Sequence, residues 1–410
     1  MKKIEYFKIL LLSLALSGCS NDDDQTVVQN NPPNTFTLVE ISNNAENIEL
    51  EPMFLWTAAT DPDGDAVTYT LYLDIIEDPV TEIASGINNI LYQLSTDLNM
   101  NTTYYWKVVA QDENEAQTSS EIYSFTTRDI KNNRVINNAD FTERAYHETL
   151  LFNDKLWLIG GDDGDYKNDV WYSEDGQNWT EATANAGFQS RINFTATVFD
   201  DKMWIIGGYD GNNNLNDVWY SEDGSNWIEA TSNASFTKRQ NHATVVFDDK
   251  MWIIDGSGRL HDVWYSSDGV LWEEATSTAE FSGRFGHTSV VFDEKVWVIG
   301  GYDGGLLNDV WYSSDGTTWQ ETTSDAGFVV RFEHTTVVFN DKMWVVAGNK
   351  FGTVQNDFWY SENGVDWHET IPDDFSKRTG HSNVIKDDKI WVIGGVEQSD
   401  ALKNDVWTFY

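Results

Sequence analysis

The chain of 410 residues carries 26 lysines and arginines against 67 aspartates and glutamates, which gives a formal net charge of −41. A field of that sign repels phosphate backbones and anionic lipid, which excludes nucleic acid as a partner and electrostatic adsorption to a membrane. Aromatic residues make up 14% of the chain and prolines number six, a composition typical of many short strands joined by tight turns.

The first 19 residues have the pattern of a secretory signal. A basic start is followed by a brief apolar run at residues 9–16, too short to span a membrane. Cys19 is the one cysteine, so no disulfide can form within the chain. The sequence Leu16-Ser17-Gly18-Cys19 resembles the lipobox of bacterial lipoproteins, which implies that Cys19 becomes the lipidated first residue of the mature protein. The alternative is an ordinary cleaved signal with an incidental cysteine.

An acidic run, Ser-Asn-Asp-Asp-Asp at residues 20–24, follows the cysteine directly. It resembles the Bacteroidota-type signal that sends lipoproteins to the outer face of the outer membrane. The resemblance implies a surface-exposed protein that is held to the outer membrane by its lipid anchor only; the alternative is a plain acidic tether. Residues 20–33 are polar and end in two prolines, which predicts a flexible tether.

Residues 34–128 form a separate region with strand-like runs at 54–56, 67–73, 104–110 and 122–125. Turn clusters separate these runs, which predicts an all-β sandwich. The motifs W-x-A-A-x-D-P-D-G-D-x-V-x-Y-x-L-Y-L and T-T-Y-Y-W-K-V-V-A-x-D, which start at Trp56 and Thr102, resemble the fibronectin type III fold. That resemblance implies a fibronectin-III-like domain ahead of the rest of the chain.

The acidic stretch Asp61-Pro62-Asp63-Gly64-Asp65 has alternating carboxylates, which can ligate calcium. An EF-hand loop would place glycine two residues later and a glutamate at the twelfth position, where this chain has Tyr72. A polar β-turn is the favoured interpretation, because turns select Asp, Gly and Pro for backbone reasons. Calcium binding stays open.

From residue 129 to 410 the chain repeats one unit. The tryptophan of a W-(I/V/L)-(I/V) core recurs at 157, 204, 252, 297, 344 and 391, with spacings of 47, 48, 45, 47 and 47 residues. A fixed period of this size indicates one supersecondary unit per repeat. Each unit divides into four short strands, which bury a core only by stacking on the next unit, as propeller blades do. We expect the repeated tryptophans to pack between blades.

The repeats resemble the kelch repeat, with R-x-x-H at the start, paired glycines after the second strand and D-V-W-Y after a loop. The glycine pairs are Gly160-Gly161, Gly207-Gly208, Gly300-Gly301 and Gly394-Gly395, replaced by Asp255-Gly256 and Ala347-Gly348 in units three and five. The last unit lacks its fourth strand, and residues 133–141 precede the first repeat as a fourth strand precedes the others. The prediction is an all-β protein: a six-bladed kelch-type β-propeller, its last blade closed by residues 133–141, preceded by a fibronectin-III-like sandwich.

Six of the nine arginines occupy one repeat position: Arg144, Arg191, Arg239, Arg284, Arg331 and Arg378. In kelch propellers of the partner-binding type, arginines at this position contact acidic ligands, which implies a ring that binds anions. The alternative is architectural, with each arginine paired to the Asp of an N-D-V-W motif such as Asp217 or Asp309. Histidines three residues later in five units are expected to be structural, because one per blade cannot assemble a metal site.

The symmetry breaks most sharply in units three to five, on the arginine face. Unit three has the shortest loop between its second and third strands, and this loop contains Arg259. Phe285 and Phe332 directly follow the repeat arginines of units four and five, and Glu333 follows Phe332. Phe351 lies at the top of the corresponding loop of unit five. Aromatic rings beside a few charges are typical of sugar or peptide sites. The alternative is that the phenylalanines plug the channel. Tyr146 and Asn193 are expected on the opposite side.

The overall expectation is a surface-anchored protein that binds glycan or protein ligands through the propeller face, without metal or cofactor. Galactose oxidase shares the architecture but needs a Cys–Tyr crosslink that Cys19 cannot supply. Sialic-acid epimerases and mutarotases are also six-bladed kelch proteins, so a carbohydrate-active enzyme of that kind or a lyase is the alternative. Glu333 beside Arg331 would then serve as acid or base.

Overall fold

A computed structural model of the protein describes residues 29–410. These residues form 34 β-strands and no α-helix. Cys19, the acidic run at 20–24 and most of the tether lie outside the described residues. None of the described residues belongs to an apolar helix of membrane-spanning length.

The chain divides into two compact units. Of the described residues, 29–98 and Thr102–Thr126 form the first unit, and Asn99–Asn101 with Thr127–Tyr410 form the second.

The first unit is built from two antiparallel sheets. Its strands are β1 (Leu38–Glu40), β2 (Ala45–Ile48), β3 (Met53–Trp56), β4 (Thr68–Asp74), β5 (Glu82–Ile87), β6 (Leu91–Gln93), β7 (Thr103–Gln111), β8 (Gln117–Ser119) and β9 (Tyr123–Thr127). One sheet has the order β1-β3-β6 and the other β2-β9-β7-β4-β5, with β8 on β7. Phe54 and Trp56 of the first sheet pack against Leu71 and Trp106 of the second. Alternating burial along β4 and β7 gives each sheet one face in this core.

The acidic stretch at 61–65 forms a turn held by its own side chain. The Asp61 carboxylate accepts hydrogen bonds from the backbone N–H of Asp63 at 2.8 Å and Asp65 at 3.2 Å. The Asp65 carboxylate accepts another from the Asn114 side chain at 2.7 Å. Asp61 Oδ1 and the Asp65 carboxylate therefore have internal donors, whereas Asp61 Oδ2 has no hydrogen-bond partner among the described residues.

The second unit contains six antiparallel sheets, the six blades of the propeller. Blade one is β11 (Glu148–Phe152), β12 (Lys155–Asp162), β13 (Tyr166–Ser173) and β14 (Thr180–Thr183); blade two is β15 (Thr195–Phe199), β16 (Lys202–Tyr209), β17 (Asn214–Ser221) and β18 (Ile228–Thr231); blade three is β19 (Ala243–Phe247), β20 (Lys250–Ile254), β21 (Val263–Ser266) and β22 (Glu273–Thr276). Blade four is β23 (Thr288–Phe292), β24 (Lys295–Tyr302), β25 (Leu306–Ser313) and β26 (Gln320–Thr323); blade five is β27 (Thr335–Phe339), β28 (Lys342–Lys350), β29 (Thr353–Ser361) and β30 (His368–Thr370); blade six is β31 (Arg378–Thr379), β32 (Ser382–Lys386), β33 (Lys389–Glu397) and β34 (Leu402–Phe409), with β10 (Asn132–Ile136) at its edge.

The blades form a closed ring. The innermost strands β11, β15, β19, β23, β27 and β32 each contact the next, and β32 contacts β11. The edge strand β10 pairs antiparallel with β34, with Asn132 opposite Phe409 and Arg134 opposite Trp407. The guanidinium of Arg134 also lies 4.3 Å from the Trp407 ring. A strand from before the first repeat thus supplies the outer edge of the last blade, and residues 137–141 continue without strand structure.

At five of the six junctions between blades, a tryptophan and a glycine lock a blade to the one before it. Gly224, in the D-G turn between β17 and β18, has φ 76° and lies so close to Trp157 of blade one that a Cβ there would approach its ring to 1.9 Å. Asp223 holds this turn by accepting hydrogen bonds from the N–H groups of Ser225 and Asn226 at 2.9 and 2.8 Å. The same contact recurs as Gly176–Trp391, Gly269–Trp204, Gly316–Trp252 and Gly364–Trp297. Repeated tryptophans therefore pack between blades.

Candidate functional site

The repeat arginines lie inside the blades. Arg191 is fully buried; its Nη1 and Nη2 donate to the two carboxylate oxygens of Asp217 at 2.8 and 2.7 Å. Nη1 also donates to the Gly207 carbonyl at 2.7 Å and Nε to the Gln189 carbonyl at 3.0 Å. The other pairs are Arg144–Asp169, Arg239–Asp262, Arg284–Asp309, Arg331–Asp357 and Arg378–Asp405.

The interpretation of Arg144, Arg191, Arg239, Arg284, Arg331 and Arg378 as a ligand-binding ring is therefore wrong. Each guanidinium is at most 1% exposed and already has a bidentate carboxylate partner. The aspartate is saturated as well: Asp169 accepts from the Trp171 indole at 2.8 Å. Burial raises the pKa of Asp169, but the hydrogen bonds and charge of Arg144 outweigh it and hold that pKa below its usual value. The architectural alternative describes these pairs.

The ring encloses a central cavity of about 220 Å³, lined by the start of the innermost strand in every blade. Its mouth is formed by the residues two positions after the arginines: Tyr146, Asn193, Asn241, Gly286, Glu333 and Gly380. Their backbones are hydrogen-bonded around the ring, with Gly286 N–H donating to the Asn241 carbonyl and Glu333 N–H to the Gly286 carbonyl, both at 2.9 Å. All six have φ between 52° and 62°. For tyrosine and glutamate this conformation is unusual, a form of strain that clusters at functional sites.

Glu333 and Tyr146 lie near each other at this mouth. Gly380 separates them in the ring, and a Cβ on Gly380 would come within 2.9 Å of the Tyr146 ring. Burial raises the pKa of Glu333 to about 7, while a weak hydrogen bond from Thr379 lowers it. Burial and the neighbouring charge of Glu333 raise the pKa of Tyr146. Tyr146 therefore lines the same mouth as Glu333, although its own blade lies opposite blade four in the ring.

One layer deeper are His147, His242, His287, His334 and His381, all buried. Burial and the arginine three residues earlier lower their pKa, for example to about 3 in His147 and His381, so these rings are neutral. Four of them bind a hydroxyl of the preceding blade through Nε2. The pairs are Thr195–His242 at 2.9 Å, Thr288–His334 at 3.0 Å, Thr335–His381 at 2.9 Å and Ser382–His147 at 2.9 Å. These four are structural.

The aromatic residues that the sequence singled out on blades three to five lie together beside the mouth. The rings of Phe285 and Tyr302 are 5.2 Å apart, and Phe351, 71% exposed, lies 6.3 Å from Tyr302. The Phe332 ring lies over Gly286, 3.3 Å from where a Cβ would be. None of these phenylalanines lines the described cavity, so they flank the mouth rather than plug it. Arg259 is exposed, and its Nη1 donates to the Asp303 carbonyl of the next blade.

Asp255 and His261, the residues in which blade three departs from the repeat, hydrogen-bond to backbone N–H groups of their own loop and of the segment that leads into blade four. Asp255 is buried and accepts from the N–H groups of Leu260 at 2.8 Å and Arg284 at 2.5 Å. Burial raises its pKa to about 6. His261 accepts through Nε2 from the N–H of Gly283 at 3.1 Å. The short loop therefore ties blade three to blade four.

The sequence alone did not single out Glu148, and it presented Tyr146 only as a residue away from blades three to five. Both residues sit at positions where the other blades carry smaller or different side chains, and both line the cavity. Both could have been found by the comparison that selected Glu333, in which a residue next to the repeat histidine differs from its counterparts in the other units.

Comparison with known proteins supports the fold. No curated protein matches this chain. A solved structure, titled "Structure of YjhT", superposes with a TM-score of 0.56 at 15% identity, covering 66% of this chain and 96% of that one. At that identity the likeness concerns the fold alone. The family model described as the KLHDC2/KLHL20/DRC7 Kelch-repeats domain matches residues 101–267 and 255–410. Because these matches span most of the chain, it belongs to the KLHDC2/KLHL20/DRC7 Kelch-repeats domain family.

Proposed function

We propose that this protein binds neutral glycans at the channel mouth of its propeller. The observation that carries the proposal is the pairing of a partly exposed aromatic cluster with a small polar cavity. Phe285, Tyr302 and Phe351 form a continuous set of rings, and Phe332 lies at the rim. Sugar rings stack on aromatic faces while their hydroxyls bind a few placed polar groups. Kelch propellers commonly serve as interaction scaffolds, which agrees with a binding role.

The lining favours a neutral ligand over an anionic one. No lysine or arginine is among the described residues that line the cavity, whose ionisable acids are Glu148 and Glu333. An anionic sugar would meet carboxyl groups without a compensating cation, which is unfavourable in a buried site. Asn193 and Asn241 at the mouth supply both donors and acceptors for hydroxyl groups. Sialic and uronic acids are therefore poorer candidates than neutral sugars.

A glycan array that contains neutral and acidic glycans tests this proposal. We expect binding to neutral glycans, and a loss of about tenfold or more when Phe351 or Phe332 is changed to alanine, because aromatic anchors dominate such interfaces. Ile228→Ala is the matched control, an exposed apolar residue on strand β18 of blade two. Binding of proteins but no glycan, or an equal loss in the control, would contradict the proposal.

An acid–base enzyme acting on a neutral sugar is the second candidate. It is favoured by Glu333, whose pKa of about 7 suits proton transfer near neutral pH, and by the adjacent Tyr146. The same array hits, incubated with the wild type and with Glu333→Gln, distinguish the two functions. Turnover that disappears in the variant supports the enzyme; binding without turnover supports the binding protein.

We also propose that the protein is a lipoprotein of the outer membrane, lipidated at Cys19 and exposed at the cell surface. The lipobox-like Leu16-Ser17-Gly18-Cys19 and the acidic run at 20–24 support this location. The first unit would then be a spacer of fibronectin-III-like type, which its motifs and its two packed sheets support. Glycans outside the cell would be the accessible ligands.

A further inference from the structure

We propose that the cavity contains an inner subsite, between blades three and four, in which His287 binds a hydroxyl group of the ligand. This inference rests on the proposed glycan-binding function. It specifies which residue binds the part of the sugar that enters the channel. It comes from two breaks in a pattern that the other blade junctions follow.

At four of the six junctions, a hydroxyl and an imidazole join one inner strand to the next. At the junction of blades two and three, Thr195 Oγ1 lies 2.9 Å from His242 Nε2 and 2.6 Å from Thr244 Oγ1. The junctions from blade four to five, five to six and six to one contain the same imidazole–hydroxyl pair. At these four junctions the Nε2 atom is satisfied within the fold.

The first break lies at the junction of blades three and four. Ala243 stands where four of the other five junctions have threonine or serine, so it offers no hydroxyl to His287. His287 is 4% exposed, and its Nε2 has no hydrogen-bond partner among the described residues. A buried polar atom left unpaired is unfavourable, so such atoms in native proteins generally indicate a ligand, water or function.

The second break lies at the junction of blades one and two. Glu148 stands at the hydroxyl position and Phe194 at the histidine position. The Glu148 carboxyl makes no hydrogen bond within the described part of the chain, and burial raises its pKa to about 8. Both breaks line the same cavity. Its interior therefore presents a neutral imidazole whose Nε2 lacks the hydroxyl partner found at four other junctions, and a carboxyl that is mostly protonated at neutral pH. Both suit hydroxyl groups rather than ions.

The mouth leaves a route to His287. Gly286 directly precedes His287 and has no side chain to cover it. The Phe332 ring lies beside Gly286 at the rim. A sugar ring stacked on Phe332 would thus direct a hydroxyl or hydroxymethyl group past Gly286 toward His287. The cavity of about 220 Å³ is several times the roughly 30 Å³ that one water molecule occupies in the liquid, so it admits part of a sugar.

The variant Ala243→Ser tests the subsite, because it supplies the hydroxyl that Ser382 supplies to His147. We expect this variant to melt at a higher temperature than the wild type and to bind the array glycan about three- to tenfold more weakly, because His287 is then satisfied internally. The matched control is Ala275→Ser on strand β22 of the same blade, where blade four has Thr322 at the same position. It should leave affinity unchanged.

A second variant, His287→Phe, and an NMR measurement test the subsite without depending on how the serine of Ala243→Ser packs. His287→Phe has a precedent in Phe194, and it should lose a similar fraction of affinity. In long-range ¹H–¹⁵N spectra of the imidazoles, added glycan should move the His287 Nε2 resonance and leave the four paired histidines in place. His287→Phe assigns that resonance by removing it.

The outcomes separate the subsite from the proposed function. A glycan that binds Ala243→Ser and His287→Phe as tightly as the wild type, or that leaves the His287 resonance unmoved, overturns the subsite and leaves glycan binding standing. In that case His287 binds water only. An array without any glycan ligand overturns the proposed function, and the subsite with it.

Discussion

The guanidinium of each repeat arginine makes the same contacts in every blade. It has a bidentate aspartate, a carbonyl 16 residues further along the chain, and a phenylalanine ring on one side, such as Phe188 at 5.6 Å from Arg191. An interaction repeated without change in every blade belongs to the architecture, because a ligand contacts each blade differently. At the residue scale, the informative positions are those where one blade lacks the partner that the others have.

Removing one member of an arginine pair leaves a buried charge without a partner. Asp217→Ala is expected to lower the free energy of unfolding by about 3–5 kcal/mol, since Arg191 is fully buried and cannot reach solvent. Urea denaturation measures the loss. Glu222→Ala, an exposed acid beside the same strand, should change stability by no more than about 0.5 kcal/mol. A loss in Asp217→Ala as small as in Glu222→Ala would show that the pair is not architectural.

The sequence alone could present both interpretations of the arginines but could not choose between them. A motif gives the residue type and spacing, whereas the choice depends on burial and on the distance to Asp217 or Asp309. The reverse holds for Phe285 and Phe351, whose irregular occurrence predicted a sector that the structure brings together. The interaction of Tyr146 with Glu333 was not predictable, because it depends on Gly380, whose missing side chain leaves room for the tyrosine ring.

At the scale of the element, the D-G turn acts as a lock between blades. Its position in the repeat was predictable, since Ser, Asp and Gly favour turns. That its glycine touches the tryptophan of the preceding blade was not, because the contact depends on how two blades stack.

The lock makes a matched pair of glycine substitutions informative. Gly224→Ala places a Cβ 1.9 Å from the Trp157 ring and requires φ 76°, so we expect it to lower the free energy of unfolding by at least about 2 kcal/mol. Gly164→Ala has the same kind of backbone, φ 111°, but nothing within 4 Å of its Cβ. It should cost only about 1 kcal/mol. Equal losses in thermal unfolding would show that the tryptophan contact adds nothing.

At the scale of the whole molecule, the six-bladed ring was predictable from the period and from the missing fourth strand of the last unit. A propeller with an open edge would present unpaired backbone groups, and β10 covers them. The ligand site was less predictable, because it is built from one or two residues of each blade that meet only after the ring closes. Glu148 and His287 are separated by 139 positions in sequence, 287 − 148, yet line one cavity.

The net charge of −41 also determines how the molecule can be held at a membrane. Anionic lipid repels it, so electrostatic adsorption would not hold it there, whereas a covalent lipid would, which is the role proposed for Cys19. We expect Cys19→Ala to move the protein from the membrane fraction to the soluble fraction. Replacing Asp22, Asp23 and Asp24 by alanine should leave it in the membrane fraction but protect it from protease added to intact cells, because the export signal is lost. Equal protease sensitivity of the wild type and the triple variant would refute a role for the acidic run in surface exposure.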